Sequence, residues 1–488
     1  MLFSSTVFLY AFLPCMMALY FPFCRTKQIK NIILLAGSLF FYAWGERKFV
    51  LVMLASIVYN YFIGLLLGLT ARHGWRKRKK AVLVCGLAGN LGLLFVYKYL
   101  GFAGSILARL FPLGRSVPEI ALPIGISFFT FQSMSYLIDV YRGDAAAQKN
   151  PVSLALYIAL FPQLIAGPIV RYGGIAEQIS CRRETWDGFC TGLCRFCTGL
   201  CKKVLIANNM GLIADRAHTL NAAGELDCAM AWLGAFAYTL EIYYDFSGYS
   251  DMALGLGSIF GFTFGENFDY PYCSSSVTEF WRRWHISLGT WFRDYVYIPL
   301  GGSRVSKGRL VFNLAVVWTL TGIWHGASWN FVLWGILYFV LLTAEKLLFG
   351  KNARAEEKTS PLSRFAGWLY TVFFVNLGWV LFRAETLPDA GRYLGVLFGL
   401  FRPEQSSSTA LLFLWQKRLW FVLALLFCAP VVPYLQKKLD ALRSSRTAAR
   451  LFPLAADILY PPAMVLLFAV CTAYLLKETY NPFIYFHF

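Results

Sequence analysis

The sequence predicts an all-α, polytopic helical membrane protein, and three observations support this class. Of the 488 residues, 58% are hydrophobic and only 15% are charged, whereas soluble domains carry about 25% charged residues. Long apolar runs recur along the chain and are separated by short polar segments. Lysine and arginine cluster beside several of these runs, as is typical of loops that flank membrane spans. We therefore expect one membrane domain over residues 1–488, with no soluble catalytic domain.

The apolar runs predict about ten to twelve membrane spans, together with shorter re-entrant or interfacial helices. The runs lie at 6–23, 31–42, 49–69, 81–97, 120–138, 152–170, 230–260, 310–344, 365–381, 419–432 and 462–476. We expect N-terminal helices over 1–118, a core that carries the motifs over 119–383, and C-terminal helices over 384–488. The first run lacks the preceding basic segment of a secretory signal, so it is expected to remain as a helix.

The formal net charge of +19 carries information about topology. The basic clusters at 25–30, 72–80 and 437–450 are expected in the cytoplasm, because cytoplasmic loops are enriched in lysine and arginine. Two spans separate the first two clusters, so the N-terminus is expected outside. Each cluster adjoins a membrane segment, which favours contact with membrane lipid and makes nucleic-acid binding a poor interpretation.

Four cysteines, Cys190, Cys194, Cys197 and Cys201, fall on one face of a predicted helix. At the α-helical rise their ends would lie about 16 Å apart, so the four cannot bind one metal ion. A role in packing is favoured, while metal binding by a pair or lipidation of one thiol remains open. No histidine pair has the spacing of a helical metal site, so no metal is expected.

The strongest candidate for catalysis is His325, which lies within an uncharged and mostly apolar stretch at 310–344. An ionisable side chain at membrane depth is costly and usually functional. Imidazole transfers protons near neutral pH without a metal. A neutral histidine that bonds a neighbouring helix is the structural alternative.

A second histidine, His285, lies in a run at 278–295 that is rich in tryptophan and arginine. An interfacial amphipathic helix explains this composition, because tryptophan and arginine both favour the headgroup region. The functional alternative is a cationic mouth that binds an anionic or phosphate-bearing donor through Arg282, Arg283 and Arg293.

Three carboxylates, Glu241, Asp245 and Asp251, are embedded in another apolar run. The first two lie one helical turn apart on the same face. Carboxylates at this depth need partners, and the arginines of 282–293 and the two histidines are the expected ones. One carboxylate could orient an imidazole, although a structural ion pair is equally consistent with the sequence.

The chain contains several long motifs, at Leu122–Gln132, Phe161–Ile169, Asp245–Asp251, Phe280–Arg304, Trp324–Gly326, Trp379–Arg383 and 483–486. These motifs resemble the membrane-bound O-acyltransferase family, and within it the bacterial alginate O-acetylation subgroup. The resemblance begins near Ala43 and covers nearly the whole chain, with the motifs in the same order.

The resemblance implies a helical membrane body with a central tunnel, in the plasma membrane of a bacterium. His325 matches the family's essential histidine, and His285 matches its second key position. Relatives take an acyl group from a cytoplasmic thioester, here acetyl-CoA or an acyl-carrier thioester, and pass it to a hydroxyl. An extracytoplasmic acetyltransferase is the expected partner. The loops at 351–363 and 402–409 have no comparable match and are expected to carry partner or acceptor specificity.

We therefore predict an O-acyltransferase that acetylates a cell-surface polysaccharide, with His325 as general base and His285 as an orienting or stabilising partner. The other candidate substrate-binding residues are Arg282, Arg283, Trp284, Arg293, Asp245, Asp251, Gln163 and Trp324. D-alanyl transfer to teichoic acid is the alternative within the family. A proton-coupled transporter is the alternative from another class, because buried acids and histidines also form proton relays. A non-catalytic scaffold for polysaccharide export would leave both histidines unexplained.

Overall fold

The computed structural model describes residues 1–22, 26–111, 120–165, 167–348, 360–401, 409–443, 451–477, 480–481 and 484. Within these ranges the chain forms helices and no β-strand, which confirms the all-α class. Of the loops at 351–363 and 402–409 and the closing motif at 483–486, residues 351–359, 402–408, 483, 485 and 486 lie outside the described residues.

The helices are numbered in chain order. Those of the N-terminal part are α1 (Leu13–Tyr20), α2 (Lys27–Gly45), α3 (Phe49–Arg72), α4 (Arg76–Leu94) and α5 (Leu100–Leu110). The next group is α6 (Ile126–Arg142), α7 (Pro151–Ala159), α8 (Phe161–Leu164), α9 (Tyr172–Cys181), α10 (Trp186–Cys201), α11 (Asn208–Ala223) and α12 (Cys228–Ile259). The histidine-bearing part contains α13 (Val277–Arg283), α14 (Ile286–Phe292), α15 (Lys307–His325), α16 (Trp329–Leu348) and α17 (Pro361–Arg383). The last helices are α18 (Leu387–Leu397), α19 (Thr409–Cys428), α20 (Val431–Arg443) and α21 (Leu451–Lys477).

Short π-helical segments adjoin several of these helices. They are Phe8–Phe12 before α1, Phe95–Tyr99 between α4 and α5, Lys202–Ala207 between α10 and α11, and Arg293–Tyr297 after α14. Such segments are frequent at functional sites, because the widened turn redirects the side chains that follow it.

Six of the described helices are long and apolar enough to cross a membrane, which is fewer than the ten to twelve spans predicted. The six segments are Phe49–Arg72, Arg76–Ala108, Trp329–Leu348, Pro361–Arg383, Thr409–Cys428 and Asp457–Lys477. Other apolar runs fold as shorter or interrupted helices. The run at 152–170, for example, is divided into α7 and α8 at Leu160. The chain is thus a multi-pass membrane protein whose interior also contains short helices.

The longest helix, α12, lies at the centre of the bundle and packs against α10, α11 and α17–α19. Two glycine pairs bring α12 close to α10. A β-carbon at Gly255 would lie 2.5 Å from the carbonyl oxygen of Gly192, and one at Gly248 would lie 2.7 Å from that of Gly199. The close packing that the glycines of this run predict is therefore present.

The cysteine stripe lies on α10, against the C-terminal helix. Cys197 is buried, and the Sγ atom of Cys201 is 3.5 Å from the Sγ atom of Cys471 on α21. These thiols therefore contribute to the packing between α10 and α21, and both cysteines are free.

Candidate active site

His325 is the last residue of α15, and its side chain is only 5% exposed. Three aromatic rings surround the imidazole edge to face, with centroid distances of 4.9 Å to Trp324, 5.0 Å to Trp334 and 5.1 Å to Phe382. Its Nδ1 atom has no hydrogen-bond partner among the described residues. The ring is therefore held by aromatic packing, and this buried nitrogen is left without a hydrogen bond within the described chain.

The hairpin of α15 and α16 brings these aromatic rings together. A β-carbon at Gly322 would lie 2.4 Å from the carbonyl oxygen of Phe331, and one at Gly335 would lie 2.5 Å from that of Trp318. Only glycine permits the two helices to approach so closely. The close approach packs Trp334 of α16 against the histidine at the end of α15.

His285 lies at the corner between α13 and α14, in the left-handed conformation with φ of 45°. This conformation is uncommon for residues other than glycine and is typical of functional sites. The loop residue Asn267 stabilises the corner, because its backbone carbonyl accepts from the Ile286 N–H at 3.0 Å. Its side-chain Oδ1 accepts from the N–H of Ser287 at 3.1 Å and from the hydroxyl of Ser287 at 2.9 Å.

The same Asn267 oxygen fixes the tautomer of His285. A backbone N–H can only donate, so the amide atom that meets Ser287 must be the oxygen. The Nδ1 atom of His285 lies 3.2 Å from this oxygen and therefore carries a hydrogen. In the neutral ring Nε2 then holds the lone pair, and this buried atom has no partner among the described residues. Sequence analysis missed Asn267, which lies in a polar loop without a motif.

The two histidines lie beside the same tryptophan. The Trp324 ring centroid is 4.9 Å from that of His325 and 6.1 Å from that of His285. Lys98 lies beside the same ring, with its Nζ atom 5.9 Å from the Trp324 centroid. The sequence therefore identified two histidines that the fold brings into one site, 40 positions apart in the chain.

Lys98 is a further polar residue of the site that sequence analysis missed. Its ammonium donates to the carbonyl of Trp324 at 2.6 Å and to that of His325 at 3.3 Å. These carbonyls belong to the C-terminal turn of α15, where a cation is favoured by the helix dipole. A signal was present, because Lys98 interrupts an apolar segment that continues to Ala108.

The carboxylates of α12 do not pair with the arginines of 282–293, so this expectation is wrong. Asp245 pairs with Lys203 at 2.6 Å. Asp251 pairs with Lys202 at 2.6 Å and with Arg195 at 3.0 Å. The reason is geometric, because these acids face the end of α10 and the π-helical segment that follows it. Neither aspartate lines the three cavities described below.

The three predicted donor-binding arginines have different surroundings. Arg282 and Arg293 line a large cavity, and Arg293 also bonds Asp294 at 2.7 Å. Arg283, by contrast, pairs with Glu279 at 2.8 Å.

The side chains of Trp284 and Gln163 are buried in the protein interior and contact other side chains or backbone. Trp284 is packed among aromatic rings, with Trp379 at 4.9 Å and Phe268 at 5.1 Å. The amide of Gln163 is fully buried and donates to the carbonyl of Tyr157 at 2.5 Å.

Three cavities lie along α15. The histidine cavity, of about 70 Å³, is lined by residues including His325, Trp324 and Lys98. The polar cavity, of about 610 Å³, shares Lys98 and Leu122 with the histidine cavity. The basic cavity, of about 1520 Å³, lies at the opposite end of α15. Its cationic lining residues are Arg282, Arg293, Arg304, Lys307 and Lys346.

Comparison with known proteins agrees with this arrangement. The model of the membrane-bound O-acyltransferase family matches residues 38–385. A probable alginate O-acetylase of Pseudomonas aeruginosa is 44% identical over 82% of this chain and 75% of its own. The protein of the same name from Pseudomonas putida is 38% identical over the full length of both chains.

A peptidoglycan O-acetyltransferase of Helicobacter pylori is 34% identical over 82% of this chain and 80% of its own. Proteins named teichoic acid D-alanyltransferases are more distant, at 28% identity over 58% of this chain or less. The chain therefore belongs to the membrane-bound O-acyltransferase family, and it is an O-acyltransferase.

Proposed function

We propose that this enzyme takes an acetyl group from a cytoplasmic thioester and transfers it to a hydroxyl outside, for O-acetylation of a cell-surface polysaccharide. The observation that carries the proposal is the pair of buried imidazoles beside Trp324, each with a nitrogen that has no partner among the described residues. The names of the relatives favour acetyl transfer over D-alanyl transfer, because the D-alanyltransferases are the more distant matches.

In the proposed reaction, His325 acts as general base. Its imidazole removes the hydroxyl proton as the oxygen attacks the thioester carbonyl, and the proton then passes to the departing thiolate. The ester C–O bond forms and the C–S bond breaks, so an ester and a free thiol are the products. The aromatic rings around His325 exclude water, which would otherwise hydrolyse the thioester.

His285 is proposed to orient the reacting groups. With the hydrogen on Nδ1 donated to Asn267, the neutral ring presents Nε2 as an acceptor. It can therefore hold a hydroxyl by accepting its hydrogen bond. Stabilisation of an oxyanion would require the doubly protonated ring, because only N–H groups donate.

The basic cavity is proposed to hold the phosphate groups of the donor, either acetyl-CoA or a carrier-bound thioester. Five cations line it, and arginine in particular binds phosphate with two parallel hydrogen bonds. Lys307 and His325 are the two ends of α15, about 27 Å apart at the helical rise. A donor whose phosphate groups bind near Lys307 would carry its thioester on a long arm, through the proposed tunnel, to His325.

The basic cavity is proposed to face the cytoplasm of a bacterial cell, and the N-terminus the outside. The start of α15 and the end of α16 line this cavity, whereas the ends of α15 and α17 lie near the polar cavity. A β-carbon at Gly45 would lie 3.3 Å from the backbone nitrogen of Met1, so the N-terminus and the turn at 45–48 share one side. The basic loop at 72–76 lies one span away on the other side. An extracytoplasmic acetyltransferase is the proposed partner.

The proposal is tested by mass spectrometry of surface glycans from cells that contain the wild-type protein, the His325→Ala variant or neither. We expect O-acetyl esters with the wild type alone. His73→Ala is the matched control, because His73 lies at an exposed turn. Esters that persist with stably produced His325→Ala protein would contradict the proposal, and D-alanyl esters would reassign the acyl group.

A further inference from the structure

The polar cavity lies next to the catalytic histidine. Phe382, whose ring contacts His325, lines it together with Gly326, the residue that follows the histidine. Lys98 belongs to the walls of both the polar cavity and the histidine cavity. A molecule in the polar cavity can therefore present a group to His325.

The charged residues that line the described part of this cavity are two cations and three acids: Lys98, Arg383, Asp215, Glu241 and Glu385. Arg383 donates to one oxygen of Asp215 at 2.6 Å, and the hydroxyl of Tyr480 donates to the other at 2.5 Å. Lys98 donates to the backbone carbonyls of Trp324 and His325. The acids therefore outnumber the cations in this wall, which disfavours an anionic ligand.

Two other polar groups of the wall have no partner. The side chain of Glu241 is 5% exposed, and its Oε2 atom accepts no hydrogen bond among the described residues. Tyr238 is 2% exposed, and its hydroxyl is likewise unsatisfied within this part of the chain. Buried polar groups without hydrogen-bond partners are costly and rare, so these two groups need an explanation.

A bound hydroxyl compound satisfies both groups. A carboxylate accepts hydrogen bonds, and a phenol hydroxyl can donate one. Glu241 and Tyr238 lie three residues apart on α12, on one face of the helix. Together they can bind adjacent hydroxyls of a polyol. A carboxylate on the ligand would instead meet the acids of the wall, Asp215, Glu241 and Glu385, which outnumber its two cations.

We infer that the polar cavity binds the acyl acceptor through Glu241 and Tyr238, and that it selects an uncharged hydroxyl compound over an anionic one. This inference rests on the proposed function, because it assigns the acceptor to the cavity beside His325. Glu241 and Tyr238 are binding residues in this account, and proton transfer stays with His325.

The test uses purified full-length protein in nanodiscs and acetyl phosphopantetheine, the part shared by acetyl-CoA and acyl-carrier donors. Methyl glucoside is the neutral acceptor probe, and methyl glucuronoside is its anionic counterpart. We expect the wild type to acetylate the glucoside at least tenfold more efficiently. Glu241→Gln should raise the KM for the glucoside about tenfold and reduce the preference for it, because a charged hydrogen-bond acceptor is replaced by a neutral amide oxygen. The KM for the donor should not change.

Two further variants serve as checks. Tyr238→Phe should also raise the KM for the glucoside, and it replaces Glu241→Gln if that variant does not fold. Asp251→Asn removes a carboxylate from the same helix outside the cavity, and it should leave the KM for the acceptor unchanged.

The outcomes separate the inference from the proposed function. Equal use of both sugars, or an unchanged KM in Glu241→Gln and Tyr238→Phe, would overturn the inference. Acetylation of neither sugar, with His325-dependent release of free thiol, would also overturn it and leave the catalytic proposal standing. An absence of His325-dependent thiol release would contradict the proposed function itself.

Discussion

The two histidines of this enzyme are held in opposite ways. His285 is fixed by hydrogen bonds, because Asn267 and Ser287 set its backbone and its tautomer. His325 is fixed by packing, with aromatic rings on several sides and an unpartnered Nδ1 atom. A ring that is clamped through one nitrogen is suited to orienting a ligand. A ring without a polar partner can change its protonation state without breaking a hydrogen bond.

The backbone conformation also differs between the two histidines. His285 occupies a left-handed corner that few side chains adopt, so its position depends on the loop that carries Asn267. His325 ends a regular helix, and the last carbonyls of this helix accept hydrogen bonds from Lys98. The first site is built by a loop clamp and the second by a helix hairpin. We therefore expect substitutions at the two sites to reduce acyl-transfer activity by different amounts.

The largest effect is expected from His325→Ala. Loss of a general base lowers a rate by about 10²- to 10⁴-fold, so acyl transfer by the purified variant should fall to background. Thermal unfolding of the detergent-solubilised protein reports whether the variant still folds. A folded variant that retains a tenth of the activity would assign the base to another residue.

Asparagine at each of the two positions compares them directly. His285→Asn should lower kcat about tenfold, because the amide still accepts a hydrogen bond and asparagine tolerates the left-handed conformation. His325→Asn should abolish transfer, because an amide cannot take up a proton near neutral pH. Equal losses at the two positions would show that both rings transfer protons. Tyr270→Asn is the control, since Tyr270 is the other left-handed residue besides glycine in the described chain.

A smaller effect is expected from Asn267→Ala, which removes the clamp but not the imidazole. The His285 ring is then free to adopt either tautomer, and the N–H of Ser287 loses its acceptor. We expect kcat to fall severalfold and stability to fall by about 1–3 kcal/mol, the usual cost of an unsatisfied buried donor. Kinetics and thermal unfolding measure the two effects separately. An unchanged kcat would show that the tautomer of His285 does not matter.

The smallest effect is expected from Arg282→Gln, because Arg282 lines the basic cavity and not the histidine cavity. Loss of one of five cations in the basic cavity should raise the KM for a phosphate-bearing donor severalfold and leave kcat unchanged. Arg283→Gln is the matched control, because Arg283 pairs with Glu279. A similar KM for the donor in both variants would show that the phosphate groups of the donor do not bind in this cavity.

The helical fold and the candidate His325 could be predicted because apolar runs and an ionisable residue inside them are local signals. His285 was reached only through the family resemblance, since its run of tryptophan and arginine is equally typical of an interfacial helix. The partners of Asp245 and Asp251 could not, since spacing shows which residues share a helix face but not which helix that face meets. Lys98 could also have been identified from the sequence, because it is a lysine inside an apolar segment. Asn267 was not, because a polar residue in a loop has no distinctive pattern, and its role exists only through the folded corner at His285.

The most direct test of the central claim uses inverted membrane vesicles, which expose the cytoplasmic face. Radiolabelled acetyl-CoA, together with cytosol as a source of carrier protein, is supplied outside the vesicles. Ester-linked label is then measured in their lumen. We predict luminal ester with the wild-type protein and none with the folded His325→Ala variant. Luminal ester that forms equally with both proteins would contradict the account.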